Sequence, residues 1–401
     1  MSEVKNECRN PCLEGVRAIA CISIFCVHFM QVLQLDDRTG LISIRRLLEY
    51  DFGVSAFIII SGALIERDRY NCNRSFMGLV DYLWKKFLRI SPMYYTTMFC
   101  IALFSFLYST RIGRLDVLSH VLFVHNLSDR FLYSISPPFW YLGVQMQAYF
   151  VASIITMFLP TGKSGKRVRP LLLFFIAFVC WVGFGFLVLL IPENSQGLLL
   201  WFTTNPMAVQ RSVFAHLPNF LLAMAFSRQV LYGEMPKFSL GIGNDVIMVL
   251  LLASMAWIGL SVEEKGITFW NGRYCFPFLT IPSVYLISLC SSGVLISTIL
   301  KLRFLVWLGR VSFPFYLVHY SVLSVTLFLL SKFNMGSIGL MRNSFVCLFA
   351  FAASLLLAFL LDKLNKRLFH RICGLGFTWK LRRGIGVIVP AKGDADDDVV
   401  R

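Results

Sequence analysis

The chain has 401 residues, of which 57% are hydrophobic and only 15% charged, and its mean hydropathy is +0.68. A soluble protein would carry about 25% charged residues, so the composition excludes a soluble globular protein. The formal net charge of +16 comes from basic residues spread beside the apolar runs, not gathered on one soluble domain. This distribution argues against a nucleic-acid partner and favours anionic lipid headgroups, as expected of a multi-pass membrane protein.

Ten apolar runs approach the length of about 20 residues that a helix needs to cross a bilayer. Because backbone polar groups must be satisfied inside the membrane, we predict an all-α, polytopic transmembrane helical bundle. A further apolar segment, 119–127, is too short to span and is expected to be re-entrant or interfacial. The predicted spans lie near residues 15–35, 50–66, 93–111, 138–159, 170–191, 212–228, 244–260, 275–299, 307–330 and 342–362.

An even number of spans places both termini on the same side of the membrane. The termini and the loops on that side hold about 25 of the Lys and Arg residues, against about 11 in the other loops. Because cytoplasmic loops carry the excess of Lys and Arg, both termini are predicted to be cytoplasmic. We therefore predict a transmembrane domain over residues 1–370, followed by a basic, then acidic tail over 371–401 that is partly disordered.

The first predicted span, "LEGVRAIACISIFCVHFM" at residues 13–30, carries three ionisable side chains. Arg17 and His28 are close to three helical turns apart, so both project from one face, about 16 Å apart along the axis. Glu14 lies one turn before Arg17 on the same side. Ionisable residues inside a membrane are functional candidates by default.

These residue types indicate a particular chemistry. A neutral imidazole can take a proton from a hydroxyl, and an arginine can hold phosphates or a developing negative charge. The shared face therefore favours transfer to a hydroxyl from a phosphate-bearing donor. Two simpler interpretations stay open: Arg17 reaches the headgroups while paired with Glu14, and His28 makes a packing hydrogen bond.

Four stretches resemble, in order, the motifs of the acyltransferase family 3 membrane proteins. They are "LEGVRAIACISIFCVHF" in the first span, "GVSAFIIISGALI" at 53–65, "KKFLRISPMYY" at 85–95 and "WLGRVSFPFYLVHYSVL" at 307–323. A fifth stretch, "FWYLGVQMQAYFV" at 139–151, departs from the family pattern, because Gln145 and Met146 stand where the family has two acids. Gln145 can hydrogen-bond a substrate, but it cannot carry charge or act as a base.

The resemblance implies a membrane-embedded O-acyltransferase of the bacterial inner membrane. Such an enzyme moves an acyl group, often acetyl, from cytoplasmic acyl-CoA to a hydroxyl of a surface polysaccharide, a lipopolysaccharide or a lipid-linked carbohydrate. It implies that His28 deprotonates the acceptor hydroxyl and that Arg17 holds the phosphates or the pantetheine of CoA. The expected partners are membrane lipids, acyl-CoA and the carbohydrate acceptor. No metal and no permanently bound cofactor is expected.

Other side chains are candidates for binding the two substrates. Lys85, Lys86 and Arg89, in a predicted cytoplasmic loop, either contact CoA phosphates or serve only as positive-inside charges. Ser61 either packs helices together with Gly62, positions substrate, or carries the acyl group transiently. The full set of acceptor or donor contacts comprises Glu14, Ser61, Trp140, Gln145, Tyr149, His125 and His319, of which His125 and His319 have a structural hydrogen bond as the alternative.

A transporter or flippase of a polysaccharide or lipid-linked intermediate is the second functional hypothesis. It also needs polar groups inside a helical bundle, and the replaced acid at Gln145 keeps it open. Transporters often show two paired halves with broken helices, and the sequence has no such symmetry. A catalytically silent scaffold is disfavoured because Arg17 and His28 are both present.

Overall fold

The computed structural model is helical throughout the residues that it describes. Those residues are 10–33, 52–70, 75–107, 112–190, 204–227, 295–332 and 340–374, with isolated positions between 242 and 287. No strand occurs in these ranges, which confirms the all-α prediction. The Cα packing divides the chain after Asp362, and the second unit, 363–401, is described only through the end of the last helix.

The helices are labelled in chain order, and two 3₁₀ turns, His125–Leu127 and Pro137–Phe139, lie between α4 and α6. The α-helices are α1 Pro11–Val32, α2 Phe52–Tyr70, α3 Phe76–Leu107, α4 Arg114–Val121, α5 Asp129–Leu132, α6 Trp140–Phe158, α7 Gly162–Leu190, α8 Pro206–Gln210, α9 Val213–Ala225, α10 Leu295–Leu300, α11 Arg303–Arg310, α12 Ser312–Lys332 and α13 Leu340–Gly374.

Six helices in the described ranges are long and apolar enough to cross a membrane, and they lie in α1, α3, α6, α7, α12 and α13. At two other predicted spans, α2 ends in a charged turn and α9 has only 13 residues, so neither joins the six. The predicted spans at 244–260 and 275–299 lie mostly outside the described residues, and so does the tail beyond Gly374. The count of ten spans and the side of the termini stay predictions.

The structure corrects the predicted loop at 66–92. Residues 52–70 and 76–107 are helical there, so Lys85, Lys86 and Arg89 lie on the first half of α3. Charged residues lower the local hydropathy, but Leu79, Tyr82, Lys86 and Ile90 recur at helical spacing and are all buried. This buried stripe holds the segment as a helix, and the helix continues through Pro92.

Helix α1 is the central packing element for the site. It begins where the Asn10 side chain accepts a hydrogen bond from the Cys12 backbone N–H at 3.0 Å, with Pro11 as its first residue. It packs against α2, α11 and α12. Glycines allow the closest approaches: a Cβ at Gly15 would collide with the Leu300 carbonyl, and one at Gly309 with the Glu14 carbonyl.

The site residues fall toward two ends of the bundle. The basic end holds Glu14 and Arg17 near the start of α1, Arg69 at the end of α2 and Lys86 in the first half of α3. The histidine end holds His28 near the end of α1, together with the short elements from α4 to the start of α6. Helix α12 runs alongside α1 in the same direction, because Cys21 contacts the Ser312 carbonyl and His28 contacts His319.

We expect Gly309→Ala to destabilise the protein by about 1–3 kcal/mol, because the added methyl group forces α11 away from the Glu14 carbonyl. The matched control is Gly183→Ala in α7, where an added Cβ meets nothing within 4 Å and a helix-forming residue is gained. Thermal unfolding of the detergent-solubilised proteins measures the difference. Equal melting temperatures for the two variants would contradict the close approach.

Candidate active site

The centre of the site is a hydrogen bond between two histidines. Nδ1 of His28 lies 2.8 Å from Nε2 of His319. Nδ1 of His319 lies 2.8 Å from the carbonyl oxygen of Tyr316 and 3.2 Å from that of Phe315. A carbonyl only accepts, so Nδ1 of His319 carries the proton and donates it, which leaves Nε2 as an acceptor. Nδ1–H of His28 therefore donates to His319, and Nε2 of His28 presents a lone pair.

Packing holds the histidine pair in this orientation. His319 is fully buried, and its ring stacks on Phe315 with an interplanar angle of 4°. Tyr320 meets the His28 ring edge-on at 5.4 Å between centroids. The hydroxyl of Tyr316 donates to the Pro138 carbonyl, which ties α12 to the 3₁₀ turn before α6. The tautomer of the pair is thus set by rigid neighbours and not by solvent.

Arg17 is paired inside the bundle with Glu14, as one interpretation of the sequence predicted. Its Nη1 lies 3.2 and 3.4 Å from the two carboxylate oxygens of Glu14, which is buried. Arg17 keeps part of its surface exposed. The ring of Tyr141 lies 6.1 Å from that of Tyr316, one turn before His319. Packed aromatic rings of Tyr141 on α6 and Tyr316 on α12 therefore connect α6 with the histidine pair.

A row of side chains on α6 extends this connection toward the basic end. Tyr141, Gln145 and Tyr149 follow one another at four-residue spacing and so share a helix face, about 12 Å long. The Gln145 amide nitrogen donates to the Ser61 hydroxyl at 3.2 Å and to the Tyr149 hydroxyl at 2.8 Å. A carboxylate at this position would instead accept from both hydroxyls. The amide leaves both hydroxyl protons available to other acceptors.

The Ser61 neighbourhood separates two of its possible roles. The adjacent Gly62 makes the close helix approach, since an added Cβ there would collide with the Phe220 carbonyl on α9. Ser61 itself accepts from Gln145 and faces the α6 row. Among the described contacts of its hydroxyl there is no histidine or carboxylate, which a serine nucleophile needs as a base. This arrangement favours positioning over acyl transfer through Ser61.

The basic end of the row is formed by two buried cations. Nζ of Lys86 lies 2.8 Å from Asp68 and about 5 Å from the rings of Tyr82 and Tyr149. The Arg69 guanidinium lies 5.4 Å from the centre of the Tyr82 ring, which Lys86 also contacts. It donates hydrogen bonds to the Thr156 hydroxyl and to the Gly78 carbonyl. The sequence analysis missed Arg69, because a basic residue at the end of a span looks like an ordinary topology signal.

The three residues on α3 that are predicted to contact the acyl-CoA donor do not share one environment. Lys86 is buried and faces the α6 row, whereas Lys85 is mostly exposed and pairs with Asp81 at 2.7 Å. Arg89 is exposed on the same helix. The sequence placed all three in one loop, but helical geometry turns Lys86 away from the exposed face that Lys85 and Arg89 share.

His125 is buried at the histidine end, where it makes a hydrogen bond and a ring contact. Its Nε2 lies 2.9 Å from the Phe139 carbonyl, and its ring stacks on His120 at 4.0 Å between centroids. Both rings are fully buried. The next residue, Asn126, exchanges hydrogen bonds with the side chain of Gln147 on α6 and donates one to the Arg211 carbonyl. The structural alternative for His125 is therefore the one that the geometry supports.

The Trp140 ring packs against Arg211, which the sequence did not predict as a site residue. The Arg211 guanidinium lies 4.3 Å from the centre of the Trp140 ring and 5.7 Å from that of the Tyr133 ring. The His216 ring lies 5.6 Å away on the same tryptophan. Arg211 follows the short helix α8 in a polar stretch, so no periodic pattern marks it in the sequence.

Comparison with known protein families identifies the family of this chain. A family model described as an acyltransferase domain, that of acyltransferase family 3, matches residues 10–363. The match covers well over half of the chain, so the protein belongs to acyltransferase family 3. No curated protein and no solved structure matches the chain. Together with its apolar helices, the family defines the protein as a membrane acyltransferase.

The stacked pair His120 and His125 makes the histidine end sensitive to acid. Burial lowers the pKa of His120 from 6.5 to about 4, although its bond to the Asp116 carbonyl opposes the shift. Burial, and then the charge of His120, lowers the pKa of His125 to about 3. Unfolded histidines bind protons first, so the stability that these residues contribute is present above pH 6.5 and is lost as the pH falls toward 3.

We therefore expect the melting temperature of the solubilised protein to fall between pH 6.5 and 4.5. Each histidine accounts for up to about 1.4 kcal/mol of unfolding free energy per pH unit. His120→Phe can stack on His125 but cannot bind a proton, so its melting temperature should fall less steeply than that of the wild type. Parallel pH profiles for the two proteins would contradict this assignment.

Proposed function

We propose that this membrane acyltransferase moves an acyl group, most simply acetyl, from acyl-CoA to a hydroxyl of a surface or lipid-linked carbohydrate, in the inner (plasma) membrane of a bacterium. The observation that carries the proposal is the bond between His28 and His319. It leaves an imidazole lone pair at the end of α1 with a fixed direction. A neutral imidazole with that orientation is suited to act as a general base on a hydroxyl.

In the proposed reaction, His28 first accepts a proton and later returns it. Nε2 of His28 takes the proton of the acceptor hydroxyl while that oxygen attacks the thioester carbonyl. The tetrahedral intermediate collapses with cleavage of the C–S bond, and His28 returns the proton to the departing CoA thiolate. His319 accepts the Nδ1–H bond throughout, and that bond strengthens when His28 becomes positively charged. No charged partner is needed for this role.

The donor is proposed to bind from the basic end. Lys86 and Arg69 are the buried cations nearest the end of the α6 row, and arginine and lysine are the usual ligands of phosphate. Lys85 and Arg89, exposed on α3, are candidates for the outer phosphates of CoA. Arg17 lies between these cations and His28, where it can meet the pantetheine arm. Tyr149, Gln145, Ser61 and Tyr141 line the proposed course of the acyl arm toward His28.

His28→Ala should reduce acyl transfer by about a hundredfold to ten-thousandfold, because it removes the general base. The measurement is the ester content of surface glycans from cells with the wild type, His28→Ala or no protein. Ester loss in both altered strains would support catalysis. Unchanged esters with altered export would instead support the transporter or flippase, and a fluorescent fusion must show equal membrane levels of the two proteins.

His319 is proposed to act through His28, as a positioning residue. His319→Leu removes the acceptor for Nδ1–H of His28, so kcat should fall about tenfold to a hundredfold while KM for acyl-CoA stays unchanged. His319→Gln keeps an acceptor oxygen and should recover part of the loss. Turnover of labelled acetyl-CoA by the purified protein measures both constants. An equal loss in the two variants, or a change confined to KM, would contradict the positioning role.

A further inference from the structure

Arg211 differs from most of the buried cations in its surroundings. Arg17, Lys86 and Arg169 each pair with a carboxylate, that of Glu14, Asp68 or Glu66. The Arg211 side chain is half-buried, and within the described part of the chain its guanidinium makes no ion pair or hydrogen bond. It lies instead over two aromatic rings, at 4.3 Å from the Trp140 centroid and 5.7 Å from that of Tyr133.

The backbone at Arg211 is held firmly in place. Its N–H donates to the Met207 and Ala208 carbonyls at 3.0 and 3.2 Å, and its own carbonyl accepts from Asn126 at 3.1 Å. Asp129 carries a carboxylate in this region, but it accepts from the backbone N–H groups at the start of α8. The guanidinium is therefore positioned precisely enough to bind a ligand, while the local acid has a different task.

A half-buried positive charge without a counter-ion is unfavourable, and contact with aromatic rings offsets only part of that cost. The missing negative charge is available from a ligand. Arginine presents several N–H donors in a fixed fork that matches phosphate and carboxylate groups. Trp140 adjoins Tyr141, whose ring lies 6.1 Å from that of Tyr316, one turn before His319, so such a ligand would lie at the histidine end of the bundle, where the proposed general base is.

We propose that Arg211 binds an anionic group of the acceptor, a phosphate or a carboxylate near the hydroxyl that is acylated. This inference rests on the proposed function and specifies its acceptor as an acidic or phosphorylated carbohydrate. It also couples acceptor binding to catalysis. The positive charge of Arg211 opposes the charge that His28 gains with the proton, and a bound anion cancels that repulsion. Water brings no such anion, so hydrolysis of acyl-CoA is disfavoured.

The first test measures binding without turnover. The full chain in detergent is unfolded thermally with glucose 1-phosphate, glucuronate or methyl glucoside, because a ligand that binds only the folded state raises the melting temperature. We expect the two anions, but not methyl glucoside, to stabilise the wild type and Arg211→Lys. Arg211→Gln should bind the anions at least about tenfold more weakly, as expected for the loss of a charge-assisted hydrogen bond.

The matched control is Arg130→Gln, which removes an exposed arginine that lies over Phe131 in the same region. It should respond to the anions like the wild type. Equal stabilisation of Arg211→Gln and Arg130→Gln, or no stabilisation of the wild type by either anion, would overturn the inference. Arg211→Lys keeps the positive charge. If Arg211→Gln does not fold, the melting temperatures of Arg211→Lys and the wild type are compared across the three sugars instead.

The second test measures transfer of labelled acetyl from acetyl-CoA to the same three sugars. We expect Arg211→Gln to lose transfer to the anionic sugars selectively. An equal loss for neutral and anionic sugars would mean that Arg211 stabilises the developing oxyanion, which overturns the acceptor assignment. If the wild type transfers nothing yet shows anion binding that depends on Arg211, the acyltransferase proposal fails while the anion site stands.

Discussion

The hydrogen bond between His28 and His319 is the constraint on which the rest of the site depends. It joins α1 to α12 across 291 positions of sequence and fixes which nitrogen of His28 carries a proton. That assignment follows because the Tyr316 carbonyl, one turn before His319, accepts a hydrogen bond from Nδ1–H of His319. The two rings thereby direct one imidazole lone pair, the one proposed to act as a base, without a carboxylate bonded to either ring in the described structure; the charge of a carboxylate would be costly to bury in a membrane.

The cationic side chains at the two ends of the bundle have different kinds of partner. At the basic end, Arg17, Lys86 and Arg169 have carboxylate partners within the described structure, so their charges are largely balanced. At the histidine end, Arg211 makes no ion pair with the described residues and lies over two aromatic rings. In the two proposals, the donor meets Arg17 and Lys86, which already have carboxylate partners, whereas the acceptor meets Arg211, which has none within the described residues.

Gln145 illustrates how one substitution changes a network without removing it. At the position of the family acid, the Gln145 amide donates to the hydroxyls of both Ser61 and Tyr149. A carboxylate would accept both bonds and add a negative charge between Arg17 and Lys86. The amide therefore adds no charge to the α6 row, which agrees with the proposal that the histidine pair carries out proton transfer.

The sequence by itself determined the helical class, the first span, the shared face of Arg17 and His28, and membership of acyltransferase family 3, because hydropathy, helical spacing and local motifs are properties of neighbouring residues. It did not determine that His28 bonds to His319, that Lys86 turns inward while Lys85 and Arg89 turn outward, or that Arg211 lies over Trp140. Those features are contacts between helices that are distant in the chain, or the choice of one face over another in a segment whose charge predicted a loop. Only the tertiary structure decides them, because tautomers and counter-ions are set by whichever groups packing brings within hydrogen-bond distance.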